Sequence, residues 1–152
     1  MSDNGNGSEA ILSVRNLHTY FPTDEGLVKA VDGISFDVLP GQTLGIVGES
    51  GCGKSTVGRS ILGIIDKPGN VEEGEIIWRR EIDGTVHDID ITKQPSNSGL
   101  MRSIRGSEIA LVFQEPMTSF SPVHTIGNQL MEAIRLHQDV TKKEAEEKSV
   151  EA

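Results

Sequence analysis

Gly48-Glu49-Ser50-Gly51-Cys52-Gly53-Lys54-Ser55 is a complete phosphate-binding loop of the pattern G-x-x-x-x-G-K-[ST], and its flanks decide the fold. The preceding run, Thr43-Leu44-Gly45-Ile46-Val47, is short, apolar and β-prone, as a buried parallel strand should be. The following run, Thr56 to Ile65, sets Val57, Ile61, Ile64 and Ile65 on one helical face. Strand, glycine loop and helix in that order predict an α/β fold of the P-loop type. Gly48, Gly51 and Gly53 allow backbone N–H groups to converge on phosphate oxygens without a Cβ in the way, and Glu49, Ser50, Cys52 and Thr56 are the other positions of the loop and helix start. The helix beginning near Lys54 adds its positive end, Lys54 reaches the β- and γ-phosphates, and Ser55 offers a hydroxyl to Mg²⁺. The competing reading, a glycine turn that merely caps a helix, does not account for Lys54 and Ser55 together with both flanks. The stretch implies binding of a nucleoside triphosphate.

Composition narrows the partners. The chain has 152 residues, 36% of them hydrophobic, with 17 glycines and a net charge of −9. That acidity argues against nucleic acid, whose backbone demands clustered Lys and Arg, but not against a triphosphate held by local backbone dipoles. No run of about 18 apolar residues is present to span a membrane, and no charged and apolar leader opens the chain. The single cysteine, Cys52, excludes an intramolecular disulfide and fits a reducing cytoplasm. The four histidines (His18, His87, His124, His137) show no metal-ligand spacing.

Along the chain, residues 1–9 read as a disordered leader and residues 10–152 as part of one domain. Ala10–Val14 predicts a strand, and Leu17–Phe21 follows, with Tyr20 and Phe21 adjacent, before a turn at Pro22–Gly26. Val28–Val38 predicts another, with Ile34, Phe36 and Val38 on one side and Ser35 and Asp37 on the other. Glu75–Arg80 and Thr85–Ile91 read as a hairpin about Asp83-Gly84, a pair suited to a tight turn. Lys93–Gly99 is a polar loop, Leu100–Arg105 a short helical or irregular piece, and Ile109–Phe113 a further apolar strand. Two prolines keep residues 114–122 irregular. Ile126, Leu130, Ala133 and Ile134 fall at helical spacing, and Thr141-Lys142-Lys143-Glu144 is a capping box opening a last helix. That helix reaches Ala152 without a C-cap, which suggests a truncated chain; a frayed charged terminal helix is the alternative.

Three segments read together carry a family resemblance: the aromatic before the second strand, Val47–Thr56, and Ile104–Pro122 (Ile-Arg-Gly-Ser-Glu-Ile-Ala-Leu-Val-Phe-Gln-Glu-Pro-Met-Thr-Ser-Phe-Ser-Pro). From about residue 10 to its end the chain resembles the ATP-binding subunit of an ABC transporter, nearest the dipeptide/oligopeptide (peptide/nickel) importers. Where those importers typically carry Gln-Asp-Pro-Met-Thr-Ser-Leu-Asn-Pro, this chain has Glu115, Phe120 and Ser121, and Gln114 is kept. The resemblance implies ATP and Mg²⁺ as ligands, Tyr20 as the ring stacked on adenine with Phe21 as its rival, and Gln114 as the amide that ligates Mg²⁺ or orients water. Lys54 and Gln114 are the catalytic residues it assigns within this sequence.

The resemblance also implies a parallel core of the RecA type, an antiparallel β-subdomain and a helical subdomain, here only begun. Its general base, its Leu-Ser-Gly-Gly-Gln-type signature and its switch histidine are not found in the sequence. Asp66 lies at the exit of the P-loop helix, and the strand Ile109–Phe113 ends in Gln114 rather than Asp, so neither supplies the acidic strand end. The chain is accordingly expected to be cut before the acidic and switch strands, to be inactive and aggregation-prone alone, and to need a second ATP-binding subunit. Permease subunits at the cytoplasmic face of the membrane, and indirectly a solute-binding protein, complete the implied partners. Two other classes stay open. A GTPase or kinase leaves residues 104–122 unexplained and lacks Asn-Lys-x-Asp; a non-catalytic nucleotide-binding or interaction protein is the second.

Overall fold

The period-two pattern near the start of the chain produces a strand that runs well past the expected Ala10–Val14. β1 (Leu12–Thr23) buries Leu12 and Val14, then Leu17 and Thr19. The buried phase moves from even to odd positions because the ladder shifts register between Val14 and Leu17. Asn16 takes a left-handed φ of 44° there, and its N–H donates to Ser35 Oγ at 2.8 Å. β2 (Gly26–Val38) returns antiparallel, with Ile34, Phe36 and Val38 half-buried and Ser35 and Asp37 exposed, as the alternation predicts. β3 (Asn70–Ile82) lies on the other side of β1, and β4 (Thr85–Asp90) closes the hairpin at Asp83-Gly84, whose φ values of 50° and 73° are those of a primed turn. The result is a four-stranded antiparallel sheet in the order β2-β1-β3-β4, with Val14, Leu17 and Ile76 fully buried.

The structure is a computed structural model that describes residues 10–113 and 120–151. The expected leader, residues 1–9, and Gln114 lie outside the described residues. The chain divides into two units, residues 1–101 and 102–152.

In the first unit, α1 (Lys54–Ile61) follows the glycine loop. It was expected to run to Ile65, and it stops four residues sooner. Gly63 adopts φ 61° and donates to Ser60 O, while Ile64 N–H donates to Arg59 O, the paired bonds of a Schellman cap. A glycine that readily takes φ > 0 ended the helix before its apolar face ran out. α1 is pinned to the sheet by a buried bond of 2.9 Å between Thr19 and Ser60 hydroxyls; Ser60 Oγ in turn donates to Thr56 O at 2.8 Å. A 3₁₀ turn (Ile91–Lys93) and α2 (Gly99–Ile104) follow β4, with Ile91 and Met101 buried.

The expected parallel strands are not formed among the described residues. Thr43–Val47 and Ile109–Phe113 join no sheet there, Ile109 making only an isolated parallel bridge to Arg105, and Val47 and Val112 are 92% and 89% exposed. Extended backbone satisfies its N–H and C=O groups only through neighbouring strands, and none of the four described strands runs beside either segment. Apolar content alone therefore left them as unpaired chain.

In the second unit, α3 (Ile126–His137) starts where its spacing predicts, with Thr125 Oγ1 accepting from Asn128 N–H at 3.3 Å. α4 (Lys142–Glu151) opens with the predicted capping box. Thr141 N–H donates to Glu144 Oε2 at 2.8 Å, and Glu144 N–H donates to Thr141 Oγ1 at 3.3 Å.

Candidate functional site

The glycine loop, residues 48–53, closes on itself immediately ahead of α1. Gly53 is the residue preceding α1, with φ 96°, and its O accepts the first helical bond from Val57 N–H at 3.0 Å. No side chain caps this helix start and no acidic residue stands in its first turn, so its positive end is open to an anion. Gly53 is also required by space: a Cβ there would lie 2.1 Å from Ala30 O. A Cβ on Gly48 would meet Cys52 Sγ at 2.5 Å, so the loop closes tightly on itself. Lys54 Nζ turns back into the loop and donates to Gly48 O at 2.8 Å and Glu49 O at 2.6 Å, with Cys52 Sγ 3.5 Å away. Its ammonium thus stands among the loop carbonyls, at the place where a phosphate group would bring opposite charge. Ser55, on the first turn of α1, is exposed and unpaired among the described residues. Glu49, Ser50, Gly51 and Cys52 are exposed; Thr56 is half-buried and gives its carbonyl to Ser60.

A hard cation such as Mg²⁺ suits oxygen donors of this kind, a hydroxyl beside phosphate oxygens, better than an all-protein cage. No cluster of three or more His, Cys, Asp or Glu that could hold a metal exists among the described residues. Ser55 therefore fits the group as an added oxygen ligand rather than as part of a closed protein site.

Tyr20 lies on β1 within a polar cluster that sequence reading missed. Its hydroxyl donates to Asp32 Oδ1 at 2.6 Å, and Lys29 Nζ stands 5.1 Å from the ring centroid. His18 Nδ1 is 2.8 Å from the Tyr20 hydroxyl and 3.0 Å from Asp32 Oδ1. The hydrogen bond from Tyr20, then that from His18, holds the Asp32 carboxyl below its ordinary range. The same Tyr20–Asp32 bond raises the tyrosine, and the Asp32 charge raises Lys29. Phe21, the rival aromatic, sits instead against the connection after α1: a Cβ on Gly69 would be 2.3 Å from its Cε1. Spacing offered no signal for Asp32, which is twelve residues from Tyr20 and meets it only through the β1–β2 register.

In the second unit, Gln129 of α3 grips the residues that follow 114–119. Its Oε1 accepts from Ser121 N–H at 2.8 Å, and its Nε2 donates to Ser121 O at 3.1 Å and His124 O at 3.0 Å. A lone Gln on a helix carries no motif, so this contact too was invisible in the sequence.

Comparison with known proteins adds the family. The pattern that describes the ABC transporter family matches residues 31–151. The dipeptide transport ATP-binding protein DppD of Bacillus subtilis is 42% identical over 138 residues, 90% of this chain and 38% of that protein. The oligopeptide transport ATP-binding protein AppD of the same organism is 41% identical over 143 residues, 93% of this chain and 40% of that protein. The glutathione import ATP-binding protein GsiA of Escherichia coli is 38% identical over 135 residues, 89% and 21% respectively. The chain thus spans 40% or less of the length of these relatives. Among solved structures, a dimeric post-hydrolysis state of an ATP-binding cassette bound to ADP and Pi superposes with a TM-score of 0.72 at 20% identity, over 92% of this chain and 54% of that one. That likeness fixes the fold as the P-loop NTPase cassette.

Proposed function

Since the chain belongs to the ABC transporter family, we propose that residues 48–56 bind ATP with Mg²⁺ and that the full-length subunit couples ATP binding and hydrolysis to uptake of peptides or related solutes. The observation that carries the site is the Lys54 ammonium held among the loop carbonyls beside an uncapped helix start. The γ- and β-phosphates would take up Lys54 and the N–H groups of residues 49–56, exchanging carbonyl partners for phosphate oxygens. Ser55 and Gln114 are the residues that would hold Mg²⁺, whose chemistry there is to neutralise developing phosphate charge. Tyr20 is the proposed adenine-stacking ring. Tyr20→Ala is expected to weaken binding of a fluorescent ATP analogue by about 1–3 kcal/mol. A larger loss in Phe21→Ala than in Tyr20→Ala would move that role to Phe21.

At the level of the family this is an ATP-hydrolysing protein. The 152 residues by themselves are proposed to bind nucleotide without turning it over, because no carboxylate ends an apolar strand to serve as general base. A second ATP-binding subunit, membrane permease subunits at the cytoplasmic face and, indirectly, a solute-binding protein are the proposed partners. The names of the relatives and the dimeric cassette support these assignments. No helix among the described residues is long and apolar enough to cross a membrane. The test is a titration of the purified chain with the ATP analogue and Mg²⁺, run beside a phosphate-release assay. Binding without release is expected. Release clearly above buffer would overturn the inactive half of the proposal, and absence of binding would overturn the other.

A further inference from the structure

β2 carries two extra residues opposite β1, and both lie beside the polar cluster around Tyr20. The ladder passes from Leu17↔Ile34 to His18↔Asp32, skipping Gly33, and from Thr19↔Val31 to Tyr20↔Lys29, skipping Ala30. Such bulges re-aim backbone and side chains near functional sites. The second one pushes Ala30 toward the glycine loop: its carbonyl oxygen would touch a Cβ on Gly53 at 2.1 Å, its carbonyl carbon at 3.2 Å. Ala30 O therefore fills the space beside Gly53 that any larger residue would need.

Residues on either side of Ala30 are tied to β1 and to each other. Lys29 precedes the bulge and Asp32 separates it from the bulge at Gly33. Asp32 Oδ1 accepts from the Tyr20 hydroxyl at 2.6 Å and lies 3.0 Å from His18 Nδ1, while Asp32 Oδ2 is 3.6 Å from Lys29 Nζ. Lys29 also covers the Tyr20 ring at 5.1 Å. His18 is packed beneath Gly33, with Cε1 3.3 Å from where its Cβ would be, and its Nε2 faces Asn16 Oδ1 at 3.2 Å and Glu73 Oε2 at 4.0 Å. One carboxylate thus ties β1 to both sides of the Ala30 bulge. An exposed ion pair alone contributes little. A charged acceptor shared by a tyrosine hydroxyl and an imidazole, between two points where the ladder is broken, restrains the backbone that the ladder does not.

We propose that the Tyr20–Asp32–Lys29 network is a brace for the phosphate-binding loop: it fixes the β2 bulge at Ala30, on which Gly53 seats, so that Asp32 and the Tyr20 hydroxyl are positioning residues for the start of α1. The inference rests on the reading of residues 48–56 as the phosphate site, but the brace itself is a property of the chain without nucleotide. The loop and helix start meet the strands that carry the cluster through Ala30 O and Val31 Cγ2 beside Gly53 and through the Thr19–Ser60 bond, and not through any side chain assigned to phosphate. Removing the acceptor therefore loosens the loop while leaving its ligands in the sequence.

The experiment is amide hydrogen exchange on the purified chain without nucleotide, comparing wild type, Asp32→Asn, Tyr20→Phe and Asp32→Glu. The loop segment 48–57 is read against the β3–β4 hairpin, 70–90, as an internal reference. Asp32→Asn and Tyr20→Phe are expected to speed exchange in 48–57 by about three- to tenfold with the hairpin unchanged. Asp32→Glu, which keeps the carboxylate, is expected to restore part of the protection. Unchanged exchange in 48–57 overturns the brace. Equal acceleration in both segments also overturns it, since the network would then act on general stability alone. A parallel titration with the ATP analogue and Mg²⁺ separates this from the site assignment: if wild type fails to bind, the assignment falls, and the exchange data still judge the brace.

Discussion

Two apolar stretches of similar character end in opposite states. Glu75–Trp78 in β3 places Ile76 at the centre of a paired sheet with no exposure, whereas Thr43–Val47 leaves Leu44 and Ile46 each 44% exposed and Val47 92% exposed. Both read as β-prone runs. The difference is that β3 has β1 on one side and β4 on the other, while residues 43–47 have no neighbour among the described strands. Local propensity makes a segment able to be a strand; a paired neighbour makes it one.

The contrast is broken most severely at Ile76. Ile76→Ala removes a fully buried side chain from the paired region and is expected to cost about 2–5 kcal/mol, read as a lowered urea midpoint. A loss under about 1 kcal/mol would mean that the sheet is not the seat of stability. Next comes the bond joining that sheet to α1. Thr19→Val keeps the shape but leaves the buried Ser60 hydroxyl without its donor, at an expected cost of about 1–3 kcal/mol, measured the same way; Thr19→Ser should recover most of it.

The capping box sharpens the comparison from the second unit, where a helix is specified by four residues without a ladder. Thr141→Ala is expected to cost about 1 kcal/mol, seen as reduced helicity by circular dichroism; unaltered helicity would show that α4 does not depend on its cap. Val47→Ser should change folding stability by less than about 0.5 kcal/mol, yet lower light scattering at high protein concentration, because an exposed unpaired apolar run invites association. If the substitution destabilises as Ile76→Ala does, residues 43–47 are packed and the contrast fails.

The smallest effect is a pH dependence at Asp32. Its carboxyl is held below the usual carboxylate range by the Tyr20 and His18 bonds, so the unfolded chain binds its proton first as pH falls. The stabilisation is complete above the unfolded value, near pH 4, and is lost as pH drops through the lower native value. Asp32→Asn should flatten that acid limb of the stability curve; an identical limb in the variant would remove Asp32 from it.

What could be read in the sequence was local. The helix start at Lys54, the Asp83-Gly84 turn and the Thr141–Glu144 cap each need only a few adjacent residues, and each took its expected form. The full length of β1 hid behind its own bulge, since a shift of buried phase between Val14 and Leu17 looks like the end of a strand. The end of α1 turned on Gly63, which apolar spacing does not weigh. Asp32 and Ala30 became part of the site region only through register, so no spacing rule pointed to them. The catalytic assignment of Gln114 falls outside the described residues and stays a proposal.

The most direct test of the account is binding of a fluorescent ATP analogue with Mg²⁺ to the purified chain and to Lys54→Ala. The account predicts saturable binding by the chain and a loss of at least about tenfold in the variant, because Lys54 supplies a charge-assisted bond to phosphate. Equal binding by both, or by neither, would contradict a working phosphate site at residues 48–56.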